Sequence, residues 1–163
     1  MTENEIAKIV VDAAYCVHKH FGPGLFETVY EVSLVHELRK RGLAVERQKV
    51  IAITYDSITF DEGFRADVIV EDKVILELLT FALRMNPKDD AKPPFSGLPL
   101  VGLGSLAVQD PIKAVEEIHR VHKKQLLTYL RLTNKRLGLL INFNEELIKH
   151  GIFRVVNGLP DDE

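Results

Sequence analysis

The chain has 163 residues, 46% of them hydrophobic and 28% charged, with a formal net charge of -3 and a single cysteine. That length suits one domain with a real core, the composition is that of a soluble globular protein, and the charge alone makes no argument for nucleic acid. The lone Cys16 excludes an internal disulfide, and the longest apolar stretch, residues 98–108, is too short and too glycine-rich to span a bilayer. The opening "MTENEIAKIV" is acidic and amphipathic, unlike a signal peptide, so a cytoplasmic protein with no membrane partner is expected.

The first predicted element is a helix. Thr2 and Glu5 have capping-box spacing, and Ile6, Ile9, Val10, Ala13, Val17 and Phe21 recur at three- and four-residue intervals. Cys16 on this helix reads as a core residue rather than a nucleophile. Gly22-Pro23-Gly24 ends the helix. A second helix is predicted over 26–41, with Leu25, Val29, Val32, Val35 and Leu38 on one face and Gly42 as its stop.

Strand signals follow. "AVERQKVIAITY" and "SITFDEGFRADVIV" flank the turn-like Asp56-Ser57, "EDK" makes the next turn, and "VILEL" is a third strand, so the three form an antiparallel meander. Residues 113–136 read as a long amphipathic helix with Val115, Ile118, Val121, Leu126 and Tyr129 or Leu130 inward. "LGLLINF" is a buried strand by composition, "EELIKHG" a short helix, "IFRVVN" a last strand, and 159–163 a polar tail.

Between 79 and 112 the pattern fails. Five of the seven prolines fall in these 34 residues, and no helical or alternating period survives. So long a stretch without structure is unusual inside a compact domain. The segment therefore reads as an insertion into a single domain spanning 1–163.

Three acids stand out. Glu27 opens the second helix, Asp67 lies inside a strand, and Glu77 ends the neighbouring strand. In a meander, Asp67 and Glu77 come close across the ladder. Two strand carboxylates side by side repel unless a proton or cation sits between them. A hard divalent cation wants such oxygens, and Mg²⁺ often takes only one or two protein carboxylates.

"GPGLFETVYE", "FRADVIVEDKVILEL", "QLLTYLRL" and "RLGLLINF" together resemble the GxxExxR family of the PD-(D/E)XK nuclease-like superfamily. The motif reads Gly24-x-x-Glu27-x-x-Tyr30, with Tyr in place of the final Arg. The resemblance implies an α/β fold with a restriction-endonuclease-like core: a central mixed sheet containing the meander, flanked by helices in the order α-α-β-β-β-α-β-α-β. It implies a hydrolase that cuts DNA with Mg²⁺ or Mn²⁺. Glu27, Asp67 and Glu77 would hold the metal, with the Leu78 backbone carbonyl as a further ligand. Gln125-x-x-x-Tyr129 resembles the Q-x-x-x-Y element of RecB-like nucleases, and its spacing puts both residues on one helix face, to meet DNA or the metal's surroundings or simply to edge the helix.

The expected lysine of the E-x-K element is missing, since Leu79 stands two residues after Glu77. Excising 79–112 joins "VILEL" to "KAVEEIH", so that Glu77-Leu78-Lys113 restores the pattern. Lys113 is thus the candidate catalytic lysine, in a chain that the insertion weakens or inactivates. A catalytically inactive nucleic-acid-binding or interaction module on the same fold is the alternative. Lys123 and Lys124 belong to a basic excess on the long helix that could meet phosphates or could be a solvated face. The six histidines, with no Cys/His pairing of the zinc type, read as surface or helix-end residues. Oligomeric state stays open, with a homodimer among the options.

Overall fold

The structure, a computed structural model, describes residues 1–79 and 111–159, without the side chains of 62 and 111–119. Its elements run α1 (Glu3–Phe21), α2 (Glu27–Lys40), β1 (Val45–Tyr55), β2 (Ile58–Val70), β3 (Val74–Leu79), α3 (Pro111–Leu132), β4 (Leu137–Asn142), α4 (Ile148–Gly151) and β5 (Ile152–Val156). Among the described residues the strands form one five-stranded sheet in chain order, β1-β2-β3-β4-β5. All neighbours pair antiparallel except β3 and β4, which are parallel. The meander and the mixed sheet are as the sequence predicts. So is the crossover helix α3, which a parallel pair requires.

Local chemistry explains the element ends. Thr2 caps α1: its hydroxyl accepts from the Glu5 backbone N–H, and Glu5 accepts from the Thr2 N–H. Such a cap contributes about 1 kcal/mol. Asp56 and Ser57 both have positive φ, as a two-residue hairpin turn between right-twisted strands demands. Glu71 and Asp72 repeat that geometry between β2 and β3.

The sheet separates two apolar layers. On one face Ile6, Val10, Ala13 and Val17 of α1 and Tyr30, Leu34 and Leu38 of α2 cover Val68, Val70, Leu76, Leu139 and Ile141. On the other, Leu126 and Leu130 of α3 cover Phe64, Ala66, Ile69, Ile75 and Leu140. Fully burying one such side chain contributes about 1.5–3 kcal/mol, so both layers are needed to hold the sheet flat between them. No helix among the described residues is long and apolar enough to cross a membrane.

Several expectations need correction. The buried face of α2 is Tyr30, Glu31, Leu34, Val35 and Leu38, while Leu25, Val29 and Val32 are exposed. The face turns because Tyr30 stacks flat on Phe143, with centroids 4.6 Å apart, and the buried Glu31 finds two donors on β1. Cys16 is exposed, with Sγ 3.4 Å from Arg41 Nη2, and Phe21 also faces outward. Val121 is exposed, and the side chains of Val115 and Ile118 lie outside the described residues. His18 is buried, with Nε2 2.8 Å from the Glu145 carbonyl, rather than at the surface. Leu79 belongs to β3 and Ile112 to α3, so both ends of the 79–112 segment fall in regular elements. Residues 80–110 lie outside the described residues.

Candidate active site

Asp67 and Glu77 meet where the β-ribbon turns over. The pairs Val68–Leu76, Ile69–Ile75 and Val70–Val74 fix the register of β2 against β3, and the next pair would be Asp67 and Glu77. Ile69 faces α3, yet so do Ala66 and Phe64. Strict alternation would send an odd- and an even-numbered residue to opposite faces, so the strand flips over between them, at Asp67. Freed from the ladder, the Asp67 Oδ2 accepts the Leu78 backbone N–H at 2.9 Å.

The two carboxylates are electrostatically strained. Burial, and then the charges of Glu27 and Glu31, push Asp67 up to about 7, although hydrogen bonds from Leu78 and Gln48 oppose the rise. Burial, and then the charge of Asp67, drive Glu77 well above the usual carboxylate range. The Glu77 Oε1 is buried with no hydrogen-bond partner among the described residues. A buried acceptor left unmatched is costly, and a cation relieves both that cost and the repulsion.

Glu27 comes from the N-terminus of α2, and Tyr30 secures the loop before it. The Tyr30 hydroxyl donates to the Gly22 carbonyl at 2.7 Å and accepts the Leu25 N–H at 3.0 Å. Tyr30, which stands where the motif the sequence resembles carries Arg, therefore has a structural role. Glu27 raises both Asp67 and Glu77 through its charge, which places it in their field. No three His, Cys, Asp or Glu side chains among the described residues form a ready metal cage. The donor set suits an ion that takes one or two carboxylates and keeps its waters, as Mg²⁺ does.

From α3, Gln125 and Tyr129 share one face, as their spacing predicts: Gln125 Nε2 donates to the Tyr129 hydroxyl at 2.7 Å. The Tyr129 ring stacks on Phe64 at 3.9 Å. Burial and the charge of Glu77 push its phenol up to about 12, so it stays protonated and able to donate. Lys123 lies over the Phe153 ring at 4.1 Å, while Lys124 is exposed. Leu78 meets the site through its backbone N–H. Lys113 lies in the first turn of α3, with its side chain outside the described residues.

Sequence reasoning missed a second layer. The buried Glu31 accepts from Arg47 Nε at 2.8 Å and from Gln48 Nε2 at 2.9 Å, and the Gln48 side chain lowers the Asp67 carboxyl against the rise that burial imposes. The available signal was the polar run Glu46-Arg47-Gln48-Lys49, which interrupts the alternation of β1.

The sheet order, the turned-over strand and the paired carboxylates place two buried acids at the centre of a mixed α/β sheet. The model of the PD-(D/E)XK nuclease superfamily matches residues 4–91 and 107–155, and the chain belongs to that family. The match breaks only at 92–106, within the segment that the sequence marks as an insertion. No curated protein matches the chain. Among solved structures, the crystal structure of SSO0001 shares 16% identity over 95% of this chain and 79% of its own, with a TM-score of 0.42, a likeness that carries no argument about activity.

Proposed function

We propose that this protein is a divalent-metal-dependent nuclease acting on DNA phosphodiester bonds, of the GxxExxR type. The observation that carries this reading is the Asp67–Glu77 pair: two adjacent carboxylates, both raised, with a buried unmatched oxygen on Glu77. Superfamily membership supports the nuclease class, whose members generally use divalent metals. Asp67 and Glu77 would hold the ion with help from Glu27 and the Leu78 carbonyl. A bound ion would supply an activated water and charge neutralisation at the phosphate. Tyr129 and Gln125 would donate to the phosphate or orient the bound strand, and Lys124 would add positive charge along α3.

A binding-only role on the same fold has one observation in its favour. Leu79, at the lysine position, cannot orient a water or stabilise a developing oxyanion. Cleavage of plasmid and single-stranded DNA with Mg²⁺ or Mn²⁺ separates the two readings. The wild-type chain should cut, and Asp67→Ala should lower the rate at least a hundredfold and weaken Mn²⁺ binding. DNA binding without metal-dependent cleavage assigns the binding role, and unchanged Mn²⁺ affinity in Asp67→Ala rejects the site.

A further inference from the structure

Gln48 is an anomaly inside β1. Its φ of +49° is a left-handed value that residues with side chains adopt at a cost, and only when their surroundings hold them there. The ladder keeps Arg47 opposite Val68 and Lys49 opposite Ala66, but Gln48 and Asp67 between them do not pair. Both strands break at the same level, with Gln48 opposite Asp67.

A carboxamide nitrogen carries two donor hydrogens. Gln48 Nε2 gives one to Glu31 Oε2 at 2.9 Å, and the same side chain acts on the Asp67 carboxyl opposite it, opposing the rise that burial imposes there. Glu31 is only 4% exposed, and its other oxygen takes Arg47 Nε at 2.8 Å. A chain of hydrogen bonds thus runs from Arg47 to Glu31 and on to Gln48, whose position in the ladder lies opposite Asp67. A neutral amide is well suited to the middle of it. It satisfies two like-charged neighbours at once without adding a cation that would compete for Asp67.

We propose that Gln48 is a positioning residue: its carboxamide bridges the buried Glu31 and Asp67, and so fixes the Asp67 carboxylate in the orientation in which it takes a divalent cation. The proposal rests on the reading of Asp67 and Glu77 as cation ligands. Groups that orient metal-binding side chains typically contribute ten- to a hundredfold in metal affinity. The competing explanation is that position 48 serves only to turn the strand over. Glycine would then serve as well or better, since it takes positive φ without strain.

The experiment compares Gln48→Gly, Gln48→Asn and the parent by Mn²⁺ titration calorimetry without DNA, with thermal melts alongside. Gln48→Gly should melt within a few degrees of the parent yet bind Mn²⁺ about tenfold more weakly. Asn tolerates the left-handed backbone and keeps the amide, but it is one methylene short of reaching both carboxylates, so its affinity should be intermediate. Parent-like affinity in Gln48→Gly overturns the proposal. A second readout does not depend on metal: the Gln48 side-chain amide resonances should shift in both Glu31→Gln and Asp67→Asn. If they stay in place in Asp67→Asn, the bridge is absent and the proposal falls. If the parent takes no Mn²⁺ while the amide resonances shift in both variants, the ligand reading fails and the bridge stands.

Discussion

At the scale of single residues, Asp67 and Glu77 make the apoprotein pay for its site in stability. Asp67 rises from an ordinary value of 3.8 to about 7, and Glu77 shifts in the same direction. Between those limits the folded state holds protons that the unfolded chain has released. Stability of the metal-free protein should therefore fall as pH rises from about 4 through 7. Melting curves across that range check the sign. Asp67→Asn removes one of the charges, so it should flatten part of the slope and raise the melting temperature by a few degrees at pH 8. Mn²⁺ competes with protons for the same oxygens, so the melting temperature it adds should be larger at pH 8 than at pH 5. An apoprotein that grows more stable from pH 5 to pH 7 would contradict the raised carboxylates.

At the scale of elements, the site depends on how closely α3 lies on the sheet. Gly138 of β4 sits under Leu126, and a Cβ there would come 2.9 Å from that side chain. A leucine at the centre of a packed layer has little room to retreat, because interiors are as dense as organic crystals. Gly138→Val should force α3 outward, cost about 1–3 kcal/mol, and displace Gln125 and Tyr129, which flank Leu126 on the same helix. The loss should appear first at the site: fluorescence or NMR of Tyr129 changes at temperatures where circular dichroism still reports a folded chain. If the two signals change together only at global unfolding, α3 is not the element that sets this geometry. On the other side, α2 carries Glu27 and Glu31 one turn apart, so a single helix N-terminus supplies both the third acid and the anchor for Gln48.

At the scale of the whole molecule, the question is what the segment between β3 and α3 does to activity. Closing a longer loop costs only about 0.6 kcal/mol per doubling of length, so the core described above can tolerate one. Leu79 and Ile112 belong to β3 and α3, and the family match resumes at residue 107. Deleting 92–106 is therefore the gentler test, and it should leave a folded, cooperatively melting protein. Deleting 79–112 cuts into both elements but brings Lys113 next to Leu78 in sequence. If Lys113 is the missing lysine, that longer deletion should raise metal-dependent cleavage, and Lys113→Ala in the same background should abolish the gain. Equal cleavage with and without Lys113 would remove it from the reaction.

The sequence by itself determined the order of elements, the meander and the long helix between β3 and β4. Each of these is written in short-range patterns: capping pairs, turn residues and alternation. Tertiary structure decided the rest. Local spacing favoured Val29 and Val32 as the buried face of α2, but Phe143, more than a hundred residues away, selects Tyr30 instead. Cys16 and Phe21 fit an apolar helical stripe, yet among the described residues both are exposed. The strand flip at Asp67 and the positive φ of Gln48 arise only when β1, β2 and α2 come together. The polar run in β1 marks Arg47 and Gln48, but no local pattern encodes their meeting with Glu31 of α2, which became visible only once the chain had folded.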